Sequence, residues 1–210
     1  MVTAALIVIA HPDQQSLAHY VAKELQRTLV RHGVSSEIAD LTAENFDPRF
    51  TYADRSSYQQ VTPIPGDVIA EQERLDRVDH VFLVFPVYWW SMPALLKGWI
   101  DRVFINGWAF EQTEGGSLTP KLSRLSMNLI PIAGSDAGAY ERHGYHASIS
   151  AQIEHGIIDF CGAKRGATTY LYESETKQSS AITDEVNQLV QDIVTRTTPQ
   201  PLNCTPSPHR

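Results

Sequence analysis

Cysteine is scarce in this sequence: only Cys161 and Cys204 occur among 210 residues. One falls in a helical pattern and the other in a proline-rich stretch, so they form no metal-ligand pattern and argue against a disulfide framework. A reducing compartment, the cytoplasm, is the expectation. Long apolar runs are also missing. Ala4 to Ala10 is apolar but too short to span a bilayer, and no basic stretch precedes it. It reads as a first strand, and no membrane insertion is expected. There is no run of like charge and no internal repeat. With 17 Lys and Arg against 24 Asp and Glu, the formal net charge is -7, which argues against a nucleic-acid surface. The glycine patterns of Walker and Rossmann nucleotide sites are absent. No Ser-His-Asp or metal-ligand constellation stands at useful spacing, although there are eight histidines. Most of those read as surface or structural.

The chain is long enough for one α/β domain with a sizeable core. Val81-Phe82-Leu83-Val84-Phe85 is an unbroken β-favouring apolar run. It is too short for a typical helix and reads as a strand buried on both faces, the mark of a parallel sheet. Pro86 ends it, and Tyr88, Trp89 and Trp90 then place three aromatics on a loop. Ser91 is the expected cap of a following helix with Pro93 in its first turn. On that helix Met92, Leu95, Leu96, Trp99, Ile100, Val103 and Phe104 share one face, and Lys97, Asp101 and Arg102 take the other. Ligands of open α/β sheets bind at the carboxyl ends of strands, where this aromatic loop would lie.

Other strands are expected at Ala4 to Ala10, Val34 to Leu41, Leu125 to Ile132 and Ala167 to Tyr172. Between them a helix carries Leu17, Val21, Leu25 and Leu29 on one face, and Gly33 ends it. Residues 42 to 66 show little periodicity. A second helix spans Val68 to Val78, with Ile69, Leu75 and Val78 apolar. Gly107 to Leu118 is a glycine-rich excursion in which Trp108, Phe110 and Gly115-Gly116 could edge a cleft. Ser148 or Ser150 is the expected cap of a helix running to Cys161, a cysteine that reads as a small buried hydrophobe. The last helix runs from Thr183 to about Val194. Residues 1 to 196 then form one domain, and 197 to 210, with four prolines, form a mobile tail. His11-Pro12-Asp13-Gln14-Gln15-Ser16 is a polar turn between strand and helix, where Ser16 caps the helix and the free N–H groups of its first turn can hold a phosphate.

The segment from Pro86 to Phe104, PVYWWSMPALLKGWIDRVF, resembles the NAD(P)H:quinone oxidoreductase family, which includes DT-diaphorase. The resemblance covers about residues 3 to 172. It implies a flavodoxin-like, doubly wound five-stranded parallel sheet in the order 2-1-3-4-5, with helices on both faces. It also implies a bound flavin, with His11, Ser16 and Leu17 at its phosphate and Pro86, Val87, Tyr88, Trp89 and Trp90 along its ring. A family pattern of Thr-Thr-Gly-Gly followed by Tyr and Gly-x-His is matched in spacing by Ile132-Ala133-Gly134-Ser135, Tyr140 and Gly144-Tyr145-His146. The Thr-Thr pair is lost. Ala133, Gly134 and Tyr140 are thereby implied flavin contacts, and Tyr140 with His146 the catalytic pair.

The expected activity is hydride transfer from NADH or NADPH through the flavin to a quinone or similar acceptor. FMN is expected rather than FAD, because Ala18 stands where several FAD-binding members have Asn. Free flavin as acceptor would make the chain an FMN reductase serving a monooxygenase. A regulatory subunit of a potassium efflux transporter is another reading. A flavodoxin-type electron carrier fits less well, since His11-Pro12-Asp13 is not a Thr/Ser-rich phosphate loop. A homodimer or dimer of dimers is expected, because Trp99 and Phe104 are hard to bury in one 210-residue protomer.

Overall fold

A computed structural model describes residues 3–113 and 115–197. The expected tail boundary shifts slightly: Thr197 belongs to the last helix, and the rest of the tail, with Cys204, lies outside the described residues. Five parallel strands, β1 (Ala4–Ile9), β2 (Ser35–Asp40), β3 (His80–Pro86), β6 (Ser126–Ile132) and β7 (Lys164–Thr168), form one sheet in the order β2-β1-β3-β6-β7. Between β3 and β6 the short strands β4 (Phe110–Gln112) and β5 (Leu118–Pro120) pair antiparallel as a separate hairpin. This is the flavodoxin-like order that the resemblance implies.

The sheet is covered on both sides, which is why β3 is apolar without alternation. Val81, Leu83 and Phe85 face a core shared with helices α3 (Gly66–Asp76) and α4 (Ala94–Val103). Phe82 and Val84 face α1 (Leu17–Arg31) and α7 (Ser179–Thr197). All five are 0% exposed, and each such side chain contributes roughly 1.5–3 kcal/mol. Among the described residues no helix is long and apolar enough to cross a membrane.

The last strand lies elsewhere than expected. Its ladder starts at Lys164, and regular strand ends at Thr168, although Thr169 and Leu171 still donate to Leu129 and Pro131. The ladder shifts register at Asn128, a buried polar residue inside β6. Its side chain replaces a backbone rung: Ala167 N–H donates to its Oδ1 at 2.9 Å, and its Nδ2 donates to the Val81 carbonyl at 3.2 Å. Gly166 must stay bare beside it, since a Cβ there would lie 2.1 Å from Asn128 Oδ1.

Several local expectations are corrected. Ser91 does not cap α4. Pro93 occupies the cap position, and the Ser91 hydroxyl donates to Gln152 Oε1. Neither Ser148 nor Ser150 caps a helix, because α5 (Ala137–His143) ends at Gly144, from which α6 (Tyr145–Ile149) runs directly into a π-helix over Ser150–Asp159. Residues 42 to 66 contain a further helix, α2 (Tyr52–Tyr58), opened by a capping box between Thr51 and Asp54. Ile69 is 40% exposed, while Val68 is buried. The last helix starts at Ser179 and not Thr183.

Arg102 is the largest departure, because it is buried and not on a solvated face. It donates to Asp54 Oδ1 at 2.8 Å, to Asp67 Oδ2 at 2.6 Å and to the Asp47 carbonyl at 2.8 Å. Those bonds pin the 42–66 excursion to α4. Gly98 lets the excursion approach, since a Cβ there would lie 2.2 Å from the Pro48 carbonyl oxygen.

Candidate functional site

Three turns at the carboxyl ends of β1, β3 and β6 converge on one cleft of about 230 Å3. It is lined by His11, Leu17, Ala18, Pro86, Val87, Tyr88, Ile132, Gly134, Ser174 and Glu175. An adjoining apolar hollow of about 260 Å3 shares His11 and Tyr88 with it. Strand order reverses between β1 and β3, and this is where such sheets bind ligands.

The first turn is built for an anion. Ser16 is the cap of α1, its Oγ facing His19 N–H at 3.5 Å, and the first-turn N–H groups have no partner within the helix. Asp13 N–H donates to His11 Nδ1 at 3.0 Å. Nδ1 also lies 3.2 Å from the Asp13 carbonyl oxygen, so the turn engages that nitrogen in either tautomer of the His11 ring that lines the cleft. Ser16 itself does not line the cleft. Its Oγ lies 2.8 Å from His19 Nδ1, and His19 Nε2 lies 2.8 Å from Asp40 Oδ2. So Ser16, His19 and Asp40 form a Ser-His-Asp chain that the sequence reading denied. Asp40 is at the end of β2, and only the β1–β2 pairing brings it beside α1.

The aromatic loop is a tight turn. Tyr88 and Ser91 exchange two backbone hydrogen bonds, at 3.0 and 3.1 Å. Trp89 and Trp90 between them have φ of 49° and 57°, both left-handed. A two-residue turn of the I′ kind requires this, and Gly or Asn normally supplies it. Val87 N–H donates to the Ile132 carbonyl at 2.8 Å, which ties the loop to β6. Val87 and Tyr88 N–H groups are therefore engaged, and those of Trp89 and Trp90 are the loop's remaining donors among the described residues. Trp90 packs on Tyr145 with ring centroids 4.0 Å apart, whereas Trp89 is 92% exposed. Neither indole lines the cleft.

The third turn brings Gly134 to the cleft, while Ala133 is buried and its N–H donates to the Leu171 carbonyl. A Cβ on Gly134 would lie 3.7 Å from the Glu175 carboxylate carbon, so the segment after β7 packs over the turn. Ser174 and Glu175 were missed in the sequence. They too follow a sheet strand, but the irregular end of β7 hid that position.

Tyr140 and His146 come together behind this turn, with ring centroids 5.2 Å apart. They sit in a cluster with Tyr145, Tyr170 and Tyr172, and His146 Nε2 is hydrogen-bonded to the Tyr172 hydroxyl at 2.5 Å. Neither lines the cleft. Burial, reinforced by Tyr172 and Tyr145, pushes the Tyr140 hydroxyl up to about 12, so it stays a neutral donor through the physiological range. Cys161 is buried, and burial pushes its thiol up to about 11, which removes it as a nucleophile. Trp108, Phe110 and Gly115-Gly116 do not edge the cleft. Trp108 packs on Phe104, and its indole N–H donates to Asp76 at the end of α3; Phe110 packs on Phe160.

These residues fit a flavin nucleotide. First-turn N–H groups and His11 can meet its phosphate, Glu175 can accept from sugar-alcohol hydroxyls, and Pro86, Val87 and Ile132 offer an apolar wall for a flat ring. Residues 3–193 match the family described as a flavodoxin-like fold. A ribosyldihydronicotinamide dehydrogenase [quinone] of Pongo abelii is 30% identical over 95% of this chain and 94% of its own. A solved NAD(P)H:quinone oxidoreductase from Methanothermobacter marburgensis superposes with a TM-score of 0.84 at 22% identity, covering 94% of this chain and all of the other. An FMN-dependent NADH-azoreductase from Bacillus anthracis, solved with FMN, superposes at 0.70 with 16% identity over 94% of this chain and all of the other.

Proposed function

Since the chain belongs to the NAD(P)H:quinone oxidoreductase family of flavodoxin-like folds, we propose that it passes electrons from NAD(P)H through bound FMN to a quinone. The observation that carries this reading is the convergence of the turns after β1, β3 and β6 on one cleft, with a helix N-terminus at one side and an apolar wall at the other. Bound flavin would supply the redox chemistry, accepting two electrons from the nicotinamide and yielding them to the acceptor. The chain's own residues bind and orient. The α1 turn with His11, Ser16 and Leu17 holds the phosphate. Pro86 to Trp90, with Ala133 and Gly134, flank the ring, and Trp89 and Trp90 supply its remaining backbone donors. Tyr140 and His146 stand behind the third turn and not in the cleft lining; from there Tyr140 would give a hydrogen bond to charge developing at the ring's polar edge, and His146, backed by Tyr172, would supply the balancing proton.

FMN is favoured over FAD by Ala18, a small residue in the cleft wall beside the phosphate turn. The test is to release flavin from purified protein by heat, identify it by chromatography, and then follow NADH and NADPH oxidation with a quinone and with free FMN as acceptors. Stoichiometric FMN and quinone-dependent turnover are expected. Absence of flavin binding would overturn the reading, and turnover with free FMN alone would make the chain a flavin reductase.

The proposed homodimer does not rest on Trp99 and Phe104. Trp99 and Phe104 are 0% and 8% exposed within one protomer. Among the exposed apolar side chains of the described residues are Phe50, Tyr52, Tyr58 and Phe160, at 48%, 84%, 37% and 43% exposure. Tyr58 and Phe160 both edge Phe110, so these rings form one neighbourhood.

A further inference from the structure

Ser16 has one hydroxyl proton, and its neighbours decide where that proton points. Asp40 accepts N–H bonds from Thr42 and Ala43 at 3.2 and 3.1 Å, so it is set up as a carboxylate. A carboxylate has no proton to give, and the His19 ring must put its Nε2–H toward Asp40. In a neutral His19 this leaves Nδ1 bare, and the Ser16 hydroxyl turns inward to donate to it. Ser16 Oγ then offers lone pairs to the outside. An anionic phosphate at the α1 turn would meet oxygen against oxygen.

A second proton on His19 reverses this. Nδ1–H then donates to Ser16 Oγ, Nε2–H still donates to Asp40, and the Ser16 hydroxyl is released to donate outward. We propose that His19 is a positioning residue: it takes up one proton from solvent when an anionic phosphate binds at the α1 turn, and so makes Ser16 a phosphate donor. This rests on the reading that the turn holds the phosphate of the cofactor. His19 is only 5% exposed, and water cannot substitute freely for its partners. The titratable groups that face it are Asp40 from β2 and His11 from the turn after β1, whose ring meets it edge-on with centroids 6.4 Å apart. The Asp13 carboxylate in the same turn is taken by Gln15 N–H, and Lys23, one helical turn on, is exposed. By linkage, phosphate and proton then bind cooperatively.

The test compares FMN with riboflavin, which has the same ring and no phosphate, on full-length protein stripped of flavin. Calorimetry in buffers of different ionisation enthalpy counts protons taken up per ligand. The range of about pH 7 to 8.5 is used because a phosphate monoester is already mostly dianionic there. Wild type should take up a large fraction of one proton more with FMN than with riboflavin. Its FMN affinity should fall by up to about tenfold per pH unit as the proton becomes harder to recruit. His19→Gln should bind FMN more weakly, with that slope and the extra uptake gone. If FMN binds no tighter than riboflavin at any pH, the phosphate reading of the turn fails and the proposal with it. If FMN binds tighter but proton uptake equals that of riboflavin, or persists in His19→Gln, the His19 proposal alone is overturned. Should His19→Gln not fold, uptake in wild type decides by itself.

Discussion

At the scale of single residues, burial converts polar groups into either anchors or donors. Arg102 is an anchor. Removing it leaves Asp54, itself 1% exposed, as a buried charge without its main partner. Arg102→Met should therefore cost about 3–5 kcal/mol, read from urea unfolding. Burial works to raise the Asp54 carboxyl, but the Thr51 bonds and the Arg102 bond and charge outweigh it and hold it below its usual value. A depressed carboxylate contributes stability above its unfolded pKa of about 3.9 and loses it as pH falls further. Wild-type stability should therefore decline below about pH 4, and the decline should be shallower in Arg102→Met. Tyr140 is a donor. Tyr140→Phe with His146→Gln should slow flavin reduction by NADH roughly tenfold in anaerobic stopped flow, with FMN binding little changed. Equal rates in wild type and double variant would remove both from the mechanism.

Among elements, the turn after β3 is built against local preference. Two tryptophans occupy left-handed backbone, each costing about 1–2 kcal/mol relative to glycine. The Val87–Ile132 bond and the Trp90–Tyr145 contact hold them there. Strain kept in this way belongs with a functional constraint. Trp89→Gly should raise the melting temperature by a few degrees, as expected for about 1 kcal/mol. It should also weaken FMN binding, measured by flavin fluorescence, because glycine loosens the turn that holds the Trp89 and Trp90 N–H groups in place. A stability gain with unchanged affinity and turnover would reduce the loop to a cap on the core. Helix α4 shows the opposite design, in which close approach is built in. Gly98→Ala would gain helix propensity, yet its Cβ would collide with the Pro48 carbonyl. A net loss of about 1–3 kcal/mol is expected.

On the scale of the whole molecule, the cleft lies at the carboxyl ends of the central strands, and the exposed rings of Phe50, Tyr52, Tyr58 and Phe160 lie at α2 and the end of the π-helix, Tyr58 and Phe160 both meeting Phe110 of the hairpin. A second copy covering these rings would remove an apolar area that single exposed residues do not create. Sedimentation at micromolar concentration should give a dimer mass. Phe160→Asp with Tyr58→Asp should shift it to the monomer while the far-ultraviolet circular dichroism is kept. A wild-type monomer would contradict the assembly.

The first four sheet strands and the parallel class of the sheet were legible in the sequence, because they depend on local pattern, whereas the strand order was what the family resemblance implied. Val81 to Phe85 is apolar without alternation only because both faces are covered, and that pattern needs no partner to be read. The turns after the first, third and fourth sheet strands were legible for the same reason, as the places where apolar runs stop. What joins residues distant in sequence was not legible. Arg102 looks like a solvated helix residue until Asp54 and Asp67 fold beneath it, 48 and 35 positions away. Asn128 and Gly166 exchange a rung of the sheet for a side chain, and the ladder to the last strand shifts register there. His19 meets Asp40 only because β2 lies beside β1. Hydrophobic periodicity reports which face of an element is buried, and it carries no information about which polar groups meet there, since a buried polar group is stable only where tertiary structure supplies its partner.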